Sequence, residues 1–163
     1  QYDEVFTDIH KAVDDALDSG VDEIVFLDSD IIPQQDAIMR FRFWHYPFVT
    51  GLYYERNANH YPSLRIFKDG QYYPVDISNI NQPYIFVDAC GLGFAYIEAE
   101  IFRRLSKPWF KWDSTSITSP SEDIYFSKKV WDELGIKPLV DLNNVAGHIG
   151  SANYGKEISY VED

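Results

Sequence analysis

Residues 23–30 read EIVFLDSD: a short apolar β-type run, Ile24 to Leu27, closed by two carboxylates, Asp28 and Asp30. A continuous apolar run that follows a helix predicts a strand buried on both faces, as in a parallel sheet. The helix ahead of it is legible. Val5, Phe6, Ile9, Val13, Ala16 and Leu17 recur at helical spacing between acids, and the pattern predicts an amphipathic helix over Asp3 to Ser19, stopped by Gly20. Downstream, Pro33 introduces a short helix over residues 34–42. Phe48 to Tyr54 reads as the next strand. Ser63–Phe67 and Gln71–Val75 flank Lys68-Asp69-Gly70 and predict a hairpin. Tyr84–Asp88 and Phe94–Ile97 are β-like around a Gly91-Leu92-Gly93 break, and Glu98–Leu105 is helical. A second long helix is expected to begin near Ser119-Pro120, with Ser119 as N-cap, Pro120 in the first turn and Glu122 closing a capping box, and to end at Gly135. Lys137–Leu142 reads as the last strand. Strands alternating with helices, plus one hairpin, predict an α/β sandwich with a mixed, mainly parallel sheet.

The chain has 163 residues, one domain of ordinary size, and can bury a core without help from disulfides or metals. Charged residues make up 25% and hydrophobic ones 45%, which excludes a disordered chain. Apolar runs are short, so no integral membrane segment is expected. The start, QYDEVFTDIH, lacks the basic and apolar regions of a signal peptide. Cys90 is the single cysteine, which excludes an internal disulfide and fits a reducing, cytoplasmic compartment. A net charge of −12 argues against a nucleic-acid surface and against docking on anionic lipid. It leaves room for a phosphate-bearing ligand, because a bound divalent cation supplies positive charge locally.

Three clusters carry the chemistry. Asp28 and Asp30 follow a buried strand, at the sheet edge where open α/β folds bind ligands. Two carboxylates two positions apart on an extended segment share a side and suit Mg²⁺ or Mn²⁺ with phosphate completing the shell. Ser121-Glu122-Asp123 opens a helix; Glu122 is expected to cap it, and Asp123, free of that duty, is the better general base. His148, between Gly147 and Gly150, follows the last strand and is a candidate third ligand to the cation. Asp8-Ile9-His10 lies on a helix whose i and i+2 side chains diverge, and is set aside.

Taken together these residues resemble the GT-A glycosyltransferases, especially the compact family-2-like nucleotide-sugar transferases. The matching pieces are FLDSDIIP (26–33), VTGLYYER (49–56), VDACGLGFAYIEAEIFRRL (87–105), PWF (108–110), SEDIYFSKKVWDELGIKPLVD (121–141) and GHIG (147–150), in the family's order. Short enzymes of this kind occur in viruses, where the compartment would be the host cytoplasm. The resemblance implies a single GT-A-like, Rossmann-like three-layer domain over residues 1–163 with Mn²⁺ or Mg²⁺ as cofactor. It implies a nucleoside-diphosphate sugar donor and a glycan, protein or lipid acceptor. It places Asp28 near ribose and metal, gives Asp30 and His148 to the metal, and makes Asp123 the base of an inverting transfer. Ser29, Arg56, Gly91 and Gly93 would border the nucleotide-sugar, and Trp109 and Glu122 the acceptor. No segment matches the strand that grips the nucleobase ahead of the first helix in the family.

Two other readings compete. Asp28-Ser29-Asp30-Ile31-Ile32 also fits, loosely, a haloacid-dehalogenase-like phosphatase with Asp28 as nucleophile and Mg²⁺ alongside. That reading leaves the Gly-Leu-Gly-Phe and Pro-Trp-Phe segments unexplained. A sugar-binding or structural relative that kept the fold and lost catalysis is the third. The polar stretch 111–120 or the tail after Gly150 is expected to be mobile and to close over bound substrates, with Lys156 of the tail reaching the diphosphate.

Overall fold

The computed structural model describes residues 2–56, 60–112 and 121–150, with residues 2–6 by backbone alone. The elements in chain order are α1 (Tyr2–Asp18), β1 (Glu23–Leu27), β2 (Ile31–Ile32), α2 (Ala37–Phe43), β3 (Phe48–Leu52), β4 (Leu64–Lys68), β5 (Gln71–Pro74), β6 (Tyr84–Phe86), β7 (Ala89–Cys90), β8 (Phe94–Glu98), α3 (Ala99–Arg104), α4 (Glu122–Leu134), β9 (Leu139–Val145) and β10 (Gly147–His148). Glycine ends two of the helices. Gly20 (φ +74°) follows α1, and Gly135 (φ +68°) donates its N–H back to the Trp131 carbonyl at the end of α4. The expected hairpin turn forms between β4 and β5. Asp69 and Gly70 both take positive φ, the geometry that matches the twist of the flanking strands.

The main sheet has five strands in the order β1-β8-β3-β9-β6. It is mixed, as expected, but mainly antiparallel rather than mainly parallel. β8 runs antiparallel to both β1 and β3, β6 is antiparallel to β9, and only β3 and β9 pair in parallel. β1, β3 and β9 nevertheless all point the same way, because β8 is a reversed strand wedged between the first two. β1 is also an edge strand, with Leu27 half exposed, and is not buried within a parallel array. Its apolar run has another cause: helices cover both faces of the sheet. Along β8 the side chains alternate, Ala95 and Ile97 into one core, Phe94 and Tyr96 into the other. The first core meets Val13 of α1, Ile101 and Phe102 of α3, and Phe126 and Val130 of α4; the second meets Ala37 and Phe41 of α2. Strands covered on both sides lose the polar face that would have betrayed antiparallel pairing.

Two smaller sheets hang on this frame: β5-β4-β7, and the pair β10-β2. The first core is dense in rings. Phe126 stacks on Phe102 and Phe110 at 5.3 and 5.1 Å between centroids and meets Phe48 edge-on at 5.7 Å. No described helix is long and apolar enough to cross a membrane. Ser119 and Pro120 lie outside the described residues; among those described, Ser121 occupies the N-cap position and its side chain makes no capping bond. Glu122 and Asp123 are therefore the first two helical residues, so Glu122 does not close a capping box, which needs the third position.

The ring stack predicts a steep cost for its removal. Phe126→Ala should destabilise the fold by about 3–5 kcal/mol, whereas Phe43→Ala, at 73% exposure, should change it by no more than about 0.5 kcal/mol. Urea denaturation midpoints of the two variants check this.

Candidate functional site

The three co-directed strands end at one edge, and the chemistry-bearing residues gather there. β1 leads into Asp28, β3 into Tyr53 and Tyr54, and β9 into Ala146 and β10. Asp28 donates its N–H to the Gly93 carbonyl at 2.9 Å, and its own carbonyl accepts from the Ile31 N–H at 3.1 Å. Asp28 to Ile31 is thus a tight turn. The two carboxylates are brought near each other by that turn, not by an extended segment as the spacing suggested. A Cβ on Gly93 would overlap the Asp28 carboxylate, so the second glycine of the Gly-Leu-Gly break makes room for it. Asp28 has its carboxyl pushed up, first by partial burial and then by Asp30, while His148 and Arg56 pull it back.

His148 arrives through a strand pair. β10 runs antiparallel to β2 with His148 opposite Ile31, and the Ile149 N–H donates to the Asp30 carbonyl at 2.7 Å. Its ring is buried, Nδ1 lies 2.7 Å from the Tyr54 carbonyl, and Nε2 lies 3.6 Å from an Asp30 oxygen. A carbonyl accepts only, so Nδ1 carries a proton, and Nε2, turned toward Asp30, offers a lone pair when the imidazole is neutral. The other Asp30 oxygen takes the Arg56 guanidinium at 2.8 Å. The structure therefore brings Asp28, Asp30, Arg56 and His148 into one cluster. Ser29 sits exposed at the tip of the turn.

Asp123, at the start of α4, lies close enough to Asp28 to feel its charge. The helix dipole favours its ionised form, and burial works against it. Burial pushes its carboxyl up to about 7, Glu122 and Asp28 push the same way, and the Leu92 N–H that donates to it only partly offsets them. One carboxylate oxygen of Glu122 is buried and, among the described residues, makes no hydrogen bond.

Near His148 and Asp123 alike stands Tyr53, which the sequence reading passed over. Its hydroxyl accepts from the Gly93 N–H at 3.2 Å and bonds Ser63, and its ring meets His148 edge-on at 5.8 Å. Burial and the Asp123 carboxylate push its hydroxyl far up, so it stays a neutral donor and acceptor. A Cβ on Gly91 would strike that hydroxyl and the Ser63 Oγ. The signal for Tyr53 was present in VTGLYYER, directly after the central strand. Trp109 corrects the sequence reading. It is 2% exposed, stacked on His10 and edge-on to Phe102, and offers no ring face to an acceptor. The expected mobile segments fall largely at 113–120 and 151–163, Lys156 included, outside the described residues.

The donor set suits a hard divalent cation. Asp30 and the Nε2 lone pair of His148 supply oxygen and nitrogen, with the Tyr54 carbonyl orienting the ring, an arrangement common among metal-binding histidines. Among the described residues no group of three His, Cys, Asp or Glu side chains is placed to hold a metal ion. A cation here would need its remaining ligands from substrate phosphate and water, the usual pattern for Mg²⁺.

No protein-family description matches the sequence, and a search of curated proteins finds no match. Among solved structures, the crystal structure of A197 from STIV is similar, with a TM-score of 0.63 and 19% identity over 98% of this chain and 80% of that chain. The likeness is one of fold.

Asp123 also sets a pH dependence of stability. Between the ordinary carboxyl value of 3.8 and about 7, the folded chain holds a proton that the unfolded chain has released. Stability should fall as pH rises through that window. Asp123→Asn should be nearly neutral at pH 4 and stabilise the protein at pH 8 by at least about 1.4 kcal/mol, the worth of one pH unit. Denaturant titrations at the two pH values check it.

Proposed function

We propose that the chain is a metal-dependent glycosyltransferase of GT-A-like fold, moving a sugar from a nucleoside-diphosphate sugar to an acceptor hydroxyl with inversion. One observation carries the reading. The Asp30–His148 pair lies beside Asp28, and the Asp123 carboxyl lies within electrostatic reach of it, at the carboxyl ends of three co-directed strands, where α/β folds bind ligands. Mn²⁺ or Mg²⁺ held by Asp30 and His148 would supply the positive charge that a departing diphosphate needs. Asp28 lies beside that position. In the transfer, the acceptor oxygen forms its bond to the anomeric carbon as the bond to the diphosphate breaks on the opposite face. The acceptor's proton passes to an Asp123 oxygen. A carboxyl poised near 7 is matched to that work, since it is both available as a base and able to hold the proton. Gly91 and Gly93 keep the space beside Asp28 and Tyr53 clear, and Tyr53 holds the loop between them. Release of nucleoside diphosphate, rather than inorganic phosphate, separates this reading from the phosphatase one. Any turnover separates it from a non-catalytic relative.

Two outcomes test the reading. In a thermal-shift screen of nucleoside diphosphates with Mn²⁺, one base should raise the melting temperature, and Asp30→Ala should remove the shift. Asp123→Asn should leave that shift nearly intact and slow transfer by roughly a hundredfold or more. In the parent, kcat/KM should rise with pH and level off above about 7, because only the ionised carboxylate accepts the proton. A flat profile, or a variant as fast as the parent, counts against Asp123 as the base.

A further inference from the structure

The Arg56–Asp30 contact has a consequence for the order in which ligands bind, and it rests on the cation reading of Asp30 and His148. Asp30 is held on both sides: one oxygen takes the Arg56 guanidinium at 2.8 Å, and the other faces His148 Nε2 at 3.6 Å. A divalent cation entering between Asp30 and His148 would meet a fixed positive charge already on the same carboxylate, and arginine does not escape by losing its proton. The guanidinium is nevertheless easy to move. Its side chain is 50% exposed, and its other described bond, to the Ile149 carbonyl, is long at 3.4 Å. A diphosphate gives a guanidinium a partner that a single carboxylate oxygen cannot match, because its oxygens accept two parallel N–H bonds and carry more charge.

We propose that Arg56 couples the two ligands: it withholds Asp30 from a lone cation and releases it when a diphosphate draws the guanidinium away. Cation and diphosphate then bind with positive cooperativity, each raising the affinity for the other by the same factor. Cation bound without donor is disfavoured, and the site assembles only around a diphosphate.

Calorimetry tests this with Mn²⁺ alone, then with nucleoside diphosphates (ADP, CDP, GDP, UDP) in the absence and presence of Mn²⁺. Arg56→Gln should bind Mn²⁺ alone about tenfold more tightly than the parent and lose most of the mutual enhancement, a factor in the ordinary range for such coupling. Arg56→Lys, which keeps the charge, should stay closer to the parent for Mn²⁺ alone. Equal Mn²⁺ affinity in parent and Arg56→Gln, with nucleotide and Mn²⁺ still binding together, overturns the coupling and leaves the cation site standing. If Mn²⁺ binds neither protein with or without nucleotide, or if Asp30→Ala binds it as the parent does, the cation reading fails and the coupling falls with it.

Discussion

Strand β8 is the constraint on which the rest depends. It pairs with β1 on one side and β3 on the other, always antiparallel, and its side chains enter both cores in turn. Buried on both faces and bonded along both edges, it is fixed in register. Its first residue, Phe94, follows Gly93, so the Gly-Leu-Gly segment is delivered to the edge where β1 and β3 end. The Gly93 carbonyl then holds the Asp28 N–H, and its N–H is held by the Tyr53 hydroxyl. A shift of β8 by one residue would exchange the two cores and take this loop away from Asp28.

The same edge concentrates acid. Asp28, Asp30, Glu122 and Asp123 approach one another in a chain that already carries a net charge of −12. Arg56 and His148 offset part of this, and both act on the Asp28–Asp30 side. Among the described residues, Asp123 has the Leu92 N–H against burial and two neighbouring carboxylates, and its carboxyl is raised accordingly. Such an arrangement costs stability without a ligand and is relieved by a cation or a proton. Perturbed acids gathered in this way mark a candidate site rather than a device for holding the fold together.

Polar groups are threaded through the packed region behind this edge, with Tyr53 bonded to Ser63. Thr50 donates to the Phe94 carbonyl at 3.0 Å inside the sheet, and Ser127 of α4 accepts from the Cys90 N–H at 3.4 Å. Burial and the nearby Asp123 carboxylate push the Cys90 thiol far up, so it sits there as a neutral packing group. α4 is tied through Ser127 to β7 and through Asp123 to Leu92. The helix that supplies the candidate base is therefore braced against the same glycine loop that receives Asp28.

The local elements were legible in the sequence because their causes are local. The helical spacing of Ile9, Val13 and Leu17, the stops at Gly20 and Gly135, and the Asp69-Gly70 turn act through residues a few positions apart, and each falls where the pattern puts it. The candidate residues Asp28, Asp30, Asp123 and His148 were legible too, as acids and an imidazole placed just past strands or at a helix start. Pairing direction was not legible. A strand covered by helices on both faces reads as apolar whether its neighbours run with it or against it, so Ile24–Leu27 could not announce that β1 is an edge strand. Nor could Trp109 announce its burial, since an aromatic ring suits a core and a sugar site equally. The raised carboxyl of Asp123 and the grip of Arg56 on Asp30 were decided only by tertiary structure. Both depend on distances between segments far apart in the chain, and neither desolvation nor Coulomb energy is written in residue order.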